Sequence, residues 1–260
     1  MPKRNYEVVR FKLQGPEKVI YDNIFKESKD KVTKILQSQQ QKLLGKTSNT
    51  AGGVSDIFVY LLRLRQACCH MSLLSECLDK DELSKMRVET EGIDGLMQNL
   101  SLNSSDEGKD NKLDVVDQIK NNIDLTKCLK QSFLSGKLTH LMDMVEKFID
   151  EFPDDKMIIV SQWTSMLSLV GRFLKKRDIE FCEIKGDILL FKRNEIVESF
   201  NKKENDNVRV MLLSLTAGGV GLNLIGANRM FLLDIHWNPA LEQQCADRIY
   251  RFLFAFFYFI

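Results

Sequence analysis

The chain has 260 residues, of which 44% are apolar and 28% are charged, a balance typical of a globular protein with a real core. Its 37 basic and 36 acidic residues give a net charge of +1, which excludes a strongly basic tail protein. Any contact with nucleic acid must therefore come from a local patch. The 14 glycines and 4 prolines exclude collagen-like and proline-rich classes.

The first quarter of the chain predicts one strand followed by two helices. Polar and apolar side chains alternate through residues 6–13, which is the pattern of a half-buried strand. A helix is expected to begin at Gly15, because proline follows it and favours the first helical position. Residues 37–53 are rich in Gln, Ser, Thr and Gly and predict a loop, and residues 55–69 predict the second helix.

A change in composition marks residues 79–124. Asp, Glu, Asn, Ser and Lys dominate this segment, and residues 101–117 are almost devoid of large apolar side chains. Such a segment cannot bury enough apolar surface to offset the entropy of ordering the backbone. We therefore predict a flexible, partly disordered insertion here.

Strands and helices alternate in the remaining sequence. Residues 157–160 form a continuous apolar run, as expected of a strand buried on both faces. This alternation predicts an α/β fold with a parallel sheet, whose functional loops lie at the carboxyl ends of its strands, at 161–163, 214–222 and 234–239. The predicted strands are 157–160, 180–184, 208–214 and 229–234, and the helices are 137–151, 164–177, 190–201 and 239–251.

The 6 cysteines include no CxxC pair and lack the density of a secreted disulfide scaffold. Reduced thiols in an intracellular compartment are the natural interpretation. Cys68-Cys69-His70 fits either a metal-ligand cluster or small buried residues on a helix, and we favour the second. The longest apolar run, residues 252–260, is far shorter than the roughly 20 residues that span a bilayer, so no membrane segment is predicted.

Three familiar motifs match only in part. Gly45-Lys46-Thr47 lacks the glycine that a phosphate-binding loop places five residues earlier, and it follows a helix rather than a strand. Gly219-Val220-Gly221 lacks the third glycine of a dinucleotide-binding turn, since position 224 is Leu. Asp234 ends an apolar strand and fits a metal-holding carboxylate or a structural one. We reject the first two motifs and favour the structural interpretation of the third.

A glycine-rich turn, residues 217–223, follows the strand at 208–214. Its 3 glycines within four positions remove Cβ atoms and expose consecutive backbone N–H groups. Such a turn can approach phosphate oxygens or a neighbouring domain closely. A plain tight connection between strand and helix explains the same spacing equally well.

Three polar side chains near the end of the chain share one helical face. Gln244, Arg248 and Arg251 are spaced by four and three residues, and Asp247 lies beside them. Two guanidinium groups and an amide aimed in one direction suit a polyphosphate, because arginine matches phosphate oxygens in a bidentate manner. A solvated charged face is the alternative.

The order of these motifs resembles the second RecA-like lobe of the SNF2 family of ATP-dependent DNA translocases, within helicase superfamily 2. Trp237-Asn238-Pro239 stands between the glycine turn and the arginine helix, as in that family. Phe231 to Pro239 and the stretch from Cys68 to Leu74 are most similar to its RNA polymerase II transcription termination factor branch. Further similar segments are Val160-Ser161-Gln162-Trp163-Thr164, Arg65 to His70, Phe191 to Arg193 with Phe200-Asn201, and Pro2-Lys3-Arg4.

The resemblance implies a motor that binds ATP between two lobes, with Mg²⁺ and the phosphate loop held by a first lobe that must be supplied in cis. It implies a RecA-like parallel sheet flanked by helices, preceded by a mainly helical segment. The implied site residues are the arginine fingers Arg248 and Arg251, the nucleotide-binding Gln244, Gly219, Gly221 and Asp247, and the DNA-binding Gln162, Trp163, Thr216, Gly218 and Asn223. No metal ligand is predicted in this chain.

The resemblance also divides the chain. Residues 1–78 are expected to hold the end of the first lobe and a helical family-specific segment, and 79–124 the polar insertion. Residues 125–251 are expected to form the helicase C-terminal lobe, and 252–260 an apolar tail without a family counterpart. That tail is an aggregation hazard if it is exposed.

Two further departures from the family pattern involve polar side chains. Leu215 stands where a hydroxyl is usual before the glycine turn, and Lys185-Gly186-Asp187 replaces the usual Asp-Gly-Ser.

The function expected from this resemblance is that of a nuclear, double-stranded-DNA-dependent ATPase. It would remove RNA polymerase II or other complexes from DNA, as in transcription termination. The isolated chain is expected to be inactive, since no phosphate loop is recognised in it. Two alternatives stay open: a catalytically inactive fragment that binds DNA or a partner, and an α/β module without a nucleic-acid role.

Overall fold

The structure is a computed structural model that describes residues 5–43, 54–74, 127–202, 207–218, 222–249 and 256–259. The predicted insertion at 79–124 and the rejected motif at 45–47 lie outside these residues. The chain divides into two compact units. The helical unit is Leu13–Ser135, and the sheet unit combines Met1–Lys12 with Gly136–Ile260.

The described elements are, in chain order, β1 (Asn5–Val8), α1 (Gly15–Leu43), α2 (Val54–Cys69), a short 3₁₀ helix (Met71–Leu74), α3 (Gly136–Glu151), β2 (Met157–Ser161), α4 (Thr164–Lys175), β3 (Phe181–Ile184), α5 (Leu190–Asn201), β4 (Val210–Ser214), α6 (Leu215–Gly218), β5 (Arg229–Leu232), α7 (Pro239–Ile249) and β6 (Phe256–Phe259). Nine of these elements match predictions from the sequence to within three residues at each end. They are α2, α3, α4, α5, α7, β2, β3, β4 and β5. No helix among the described ranges is long and apolar enough to cross a bilayer.

The sheet is parallel throughout its described strands, in the order β1-β6-β5-β2-β4-β3. β2 lies at its centre, where Met157 pairs with Val210 of β4 on one side and with Arg229 of β5 on the other. All carboxyl ends of the strands therefore meet at one edge. This arrangement confirms the predicted α/β class and places the loops after β2, β4 and β5 side by side.

The central strands are buried on both faces, as their apolar runs predicted. Every residue of β2, β4 and β5 is buried. Ile158 and Val160 of β2 contribute to a core that also includes Val197 and Phe200 of α5 and Cys245 of α7. The alternate residues of β2 face the opposite side, because successive side chains of a strand point to opposite faces. Helix α4 contacts β2 and β4.

The predicted first strand is shorter than expected. It ends at Val8 rather than near residue 13, because its partner β6 pairs Val8 with Phe259, the last residue of that strand. It lies at the edge of the sheet unit, beside β6.

Helix α1 continues into the predicted loop. Residues 37–43 are helical, so the prediction of a loop over 37–53 was wrong for its first seven residues. Gln and Lys have high helix propensity, and their polarity does not end a helix when no Gly or Pro intervenes. The Ser38 hydroxyl donates a hydrogen bond to the Ile35 carbonyl at 2.7 Å within the helix. The remaining residues, 44–53, lie outside the described part.

Four residues of the apolar tail form strand β6, which no motif had predicted. Phe256–Phe259 lies between β1 and β5 and pairs with both in parallel. Aromatic residues have high β-propensity, which was the available signal in this run. β6 therefore joins β1 to the rest of the sheet.

The helical unit has a small core of its own. Ile20 and Ile24 of α1 pack with Ala67 of α2, and Met71 and Leu74 of the 3₁₀ helix complete this cluster with Cys128. Ile20 and Met71 are almost completely buried. The apolar spacing of both helices had predicted such packing, since residues three and four apart share a face.

Candidate nucleotide and nucleic-acid site

The loops after β2 and β5 are joined by the carboxylate of Asp234. Asp234 is 6% exposed and accepts hydrogen bonds through both oxygens. Oδ2 accepts from the Ser161 hydroxyl, and Oδ1 accepts from the Gln162 backbone N–H at 3.0 Å. The Ser161 Oγ in turn accepts from the Trp163 N–H at 3.0 Å. These contacts give Asp234 a structural role, in line with the interpretation favoured from the sequence.

Gln162 and Trp163, two of the predicted DNA-binding residues, are thus held at the carboxyl edge of the sheet. The side-chain amide of Gln162 donates to the Ile235 carbonyl at 3.3 Å. Trp163 is the N-cap of α4 and makes no side-chain cap hydrogen bond. Its indole Nε1 is buried without a hydrogen-bond partner among the described residues.

The His-Trp-Asn-Pro segment builds the start of helix α7. The Asn238 side chain caps the helix, because its Oδ1 accepts from the Ala240 N–H at 3.0 Å. Pro239 follows at the first helical position, where its missing N–H is not needed. The His236 N–H donates to the Glu242 carboxylate, and His236 Nδ1 accepts from the Asn238 N–H at 3.0 Å. Trp237 is 59% exposed beside this cap.

In the turn after β4, the core residue Leu215 stands where the family pattern has a residue with a hydroxyl group. Leu215 is fully buried in the same core as Val160. The hydroxyls on either side of it, Ser214 Oγ and Thr216 Oγ1, lie 3.0 Å apart. Thr216, a predicted DNA-binding residue, is exposed, whereas Ser214 is buried.

Gly218 allows helix α6 to approach helix α7 closely. A Cβ at this position would lie 2.9 Å from Cys245 Sγ and 3.2 Å from Leu213 Cδ2. Burial raises the pKa of Cys245 to about 12, against the lowering effect of the Arg248 charge, so the thiol is neutral and serves for packing. Packing against Cys245 and Leu213 therefore favours glycine at position 218. The spacing of the turn did not reveal this constraint.

Asn201, the last residue of α5, holds the other side of this turn. Its Nδ2 donates to the Asn223 carbonyl at 2.8 Å, and its Oδ1 accepts from the Gly226 N–H at 2.8 Å. The side chain of Asn223 is exposed. Asn223, a predicted DNA-binding residue, thus lies on a segment whose backbone is held by Asn201 at positions 223 and 226.

Helix α7 presents the predicted nucleotide-facing residues that the structure describes. Gln244 and Asp247 are exposed and Arg248 is half-buried, while Cys245 faces the core. The guanidinium Nε of Arg248 is buried and has no hydrogen-bond partner within the described ranges. Asp247 Oδ1 accepts from Gln243 Nε2 at 2.9 Å, an i,i+4 contact along the helix.

Three predicted site residues, Gly219, Gly221 and Arg251, lie outside the described residues. Ser161, Asn201, Glu242 and Cys245 were not predicted as site residues, yet their contacts fix the loops that carry the predicted ones. Only Ser161 had a usable signal, because it ends a buried strand next to the strand that ends before Asp234.

His70, in the helical unit, is a buried structural histidine. Its Nδ1 accepts from the Ser72 N–H at 3.1 Å, and its Nε2 therefore donates to the Phe133 carbonyl at 3.0 Å. Burial lowers the pKa of His70, which the Phe133 hydrogen bond opposes. Both ring nitrogens are used within the protein, which favours the packing interpretation of the Cys68-Cys69-His70 motif. No group of three His, Cys, Asp or Glu side chains in the described segments is placed to hold a metal.

The lowered pKa of His70 predicts an acid-sensitive stability. Below the ordinary histidine pKa of about 6.5, the unfolded chain binds a proton that the folded chain does not. The free energy of unfolding should therefore fall as the pH falls below about 6.5, by at most about 1.4 kcal/mol per pH unit from this group. Denaturant titrations between pH 5 and 8 measure this slope.

The His70→Gln variant should lose that part of the pH dependence, because its amide does not titrate in this range. An unchanged slope in His70→Gln would contradict the assignment of a neutral buried imidazole.

Residues 136–253 match the family model described as the helicase conserved C-terminal domain. The chain is 39% identical over 221 residues to transcription termination factor 2 of Drosophila melanogaster, a match covering 75% of this chain and 20% of that protein. It is 28% identical over 300 residues to the helicase-like transcription factor of Homo sapiens, covering 96% and 29%. The chain thus spans less than a third of the length of either relative.

Solved structures share the fold of this chain. The C-terminal part of the Fun30 ATPase domain has a TM-score of 0.61 at 20% identity, covering 99% of this chain and 84% of that one. The Sulfolobus solfataricus SWI2/SNF2 ATPase core in complex with dsDNA has a TM-score of 0.59 at 21% identity, covering 100% and 41%. These similarities confirm the RecA-like helicase C-terminal lobe that the sequence predicted.

Proposed function

Because the chain belongs to the SNF2 family of helicase-related ATPases and carries the second RecA-like lobe, we propose that it is the second-lobe portion of an ATP-dependent double-stranded-DNA translocase. The observation that carries the proposal is that the predicted DNA-binding loops are attached to the helix that carries the predicted nucleotide-binding residues. The loops that hold Gln162 and the glycine turn lie at one edge of the sheet, and both are attached to the helix of Arg248.

The proposed nucleotide site uses one face of helix α7. Arg248, and Arg251 one turn later, would act as arginine fingers toward the phosphates of ATP. Gln244, Asp247 and the glycines at 219 and 221 would lie close to the nucleotide. The buried Nε of Arg248 supports this role, because it has no hydrogen-bond partner within the described ranges and an anion would satisfy it. Mg²⁺ would be held by the first lobe and would neutralise charge on the phosphates.

The proposed DNA surface lies along the carboxyl edge of the sheet. The proposed contact residues belong to the segments that emerge there, and Thr216 and Asn223 are exposed. They are Gln162, Trp163, Thr216, Gly218 and Asn223. Backbone N–H groups and polar side chains of this kind contact phosphates and carry no base information. A structural neighbour was solved as a complex with dsDNA, which supports the choice of duplex DNA as the ligand.

The finer role that we propose is the removal of RNA polymerase II or other complexes from DNA in the nucleus. It is supported by the identity of 39% to a protein named transcription termination factor 2. It is also supported by the resemblance of residues 68–74 and 231–239 to that branch of the family.

The proposal is tested by ATP hydrolysis with and without a first lobe. Residues 1–260 are joined behind the first RecA-like lobe of the Drosophila melanogaster relative, and turnover is measured with and without duplex DNA. We expect DNA-stimulated turnover in the joined protein and essentially none in the 260-residue chain alone, since no phosphate loop is recognised in its sequence.

Binding to a fluorescent duplex at several salt concentrations is measured in parallel on the unjoined chain. Phosphate contacts should make the affinity fall steeply with increasing salt. Salt-dependent binding without turnover in the joined protein would favour an inactive DNA-binding fragment instead. The absence of both would leave an α/β module without a nucleic-acid role.

A further inference from the structure

We propose that Asp234 is the positioning residue that couples the Gln162–Trp163 loop to helix α7, so that DNA contact at the loop changes the placement of Arg248. The inference rests on the proposed function. It assigns a role to a carboxylate that neither the motif resemblance nor the comparisons gave to the site.

The first part of the connection is the pair of bonds that Asp234 accepts. The Ser161 hydroxyl donates its hydrogen to Oδ2. This orientation leaves a lone pair of Ser161 Oγ for the Trp163 N–H, at 3.0 Å. With Oδ1 accepting from the Gln162 N–H, the carboxylate holds one backbone N–H directly and a second, that of Trp163, through the Ser161 hydroxyl.

The second part is the short segment that follows Asp234. The Ile235 carbonyl accepts from the Gln162 side chain, and the next residue, His236, donates its N–H to Glu242 in the first turn of α7. Four residues after Asp234, Asn238 caps the same helix. The segment that holds the Gln162 loop is therefore also the entry of the helix that carries Arg248.

Helix α7 is anchored a second time, near its other end. The Arg248 carbonyl accepts from the Leu224 N–H at 3.3 Å, and Cys245 packs against Gly218. A displacement of the Gln162 loop would thus be passed to a helix whose far end contacts the glycine turn. The buried, hydrogen-bonded Asp234 makes this connection stiff, because buried networks in which every group is satisfied restrict motion.

The charge of Asp234 can be removed with little change in shape. In Asp234→Asn, the amide oxygen can still accept from the Gln162 N–H, but the NH₂ group cannot accept the Ser161 hydroxyl proton. Ser161→Ala breaks the same connection from the other side and also leaves the Trp163 N–H without its acceptor. Asp154→Asn is the matched control, since Asp154 is an exposed carboxylate outside the network.

The experiment compares these three variants in the protein joined to a first lobe, with turnover measured at saturating ATP with and without saturating duplex DNA. We expect Asp234→Asn and Ser161→Ala to lower the DNA-stimulated rate at least tenfold more than they lower the DNA-free rate. The control should match the parent in both rates. The KM for ATP and the thermal midpoint, measured on the same samples, separate lost coupling from weaker nucleotide binding or unfolding.

Two results would overturn the inference alone: a stimulation ratio within twofold of the parent in both variants, or equal losses with and without DNA. If one variant does not fold, the ratio in the other decides in the same way. A parent protein that shows no DNA-stimulated turnover would overturn the proposed function, and the inference with it.

Discussion

Replacing Arg248 with alanine is expected to lower ATP turnover in the joined protein by about 10³–10⁵-fold, the range for arginine fingers in comparable nucleotidases. Its buried Nε lacks a hydrogen-bond partner within the described ranges, as expected of a group whose ligand is a phosphate oxygen. In the proposed function the finger would stabilise charge on the transferring phosphoryl group, whereas DNA would contact the loops at the sheet edge, so duplex affinity should stay unchanged. Steady-state turnover and duplex affinity, measured on the same preparation, check both expectations.

Two controls sharpen this prediction. Arg248→Lys keeps the charge but lacks the planar fork of a guanidinium, and should restore only a small part of the rate. Arg172, an exposed arginine on α4, has no proposed role, and Arg172→Ala should leave turnover and DNA affinity unchanged. Turnover within a few-fold of the parent in Arg248→Ala would remove the finger role from this residue.

The second large effect is expected at Gly218. In Gly218→Ala the new methyl group would overlap with Cys245 Sγ at 2.9 Å and would make a tight contact with Leu213 Cδ2 at 3.2 Å. Relieving the overlap in a packed core costs about 1–3 kcal/mol. We therefore expect the free energy of unfolding of the sheet unit to fall by that amount in denaturant titrations.

The partner in this contact can be changed to test the cause. Cys245→Ala removes the sulfur, so the double variant Gly218→Ala, Cys245→Ala should lose less stability than the two single variants together. Gly186→Ala is the matched control, because nothing lies within 4 Å of its added Cβ and its stability should be equal or slightly higher. Additive losses in the double variant would mean that the Gly218–Cys245 approach is not the source of the effect.

The two proposals assign different roles to Arg248 and Asp234, which both affect helix α7. Arg248 is expected to act on the nucleotide itself, whereas Asp234 acts on the helix and the Gln162 loop. Loss of the first should stop turnover under every condition, whereas loss of the second should mainly remove the response to DNA. The stimulation ratio therefore distinguishes the two roles within one set of assays.

Local pattern sufficed to predict the centre of the fold. The apolar runs at β2 and β4 are too regular to be loops and too short to be helices, so their burial in a parallel sheet followed directly. The helical spacing of α3 and α4 was equally clear. The same alternation identified the carboxyl edge of the sheet as the place of the site, because chain direction alone decides which ends of parallel strands meet.

What needed the tertiary structure was every feature made by residues distant in sequence. The position of β1 at the sheet edge depends on β6, about 250 residues later, and no local pattern contains that pairing. The same holds for the bond between Gln162 and Asp234, the approach of Gly218 to Cys245, and the bond from His70 to Phe133. Apart from β6 and the end of α1, the sequence determined which described segments are strands, helices and site loops, since those depend on local spacing. Packing decided which side chains hold those loops in place, since a hydrogen bond between two elements exists only once both are in position.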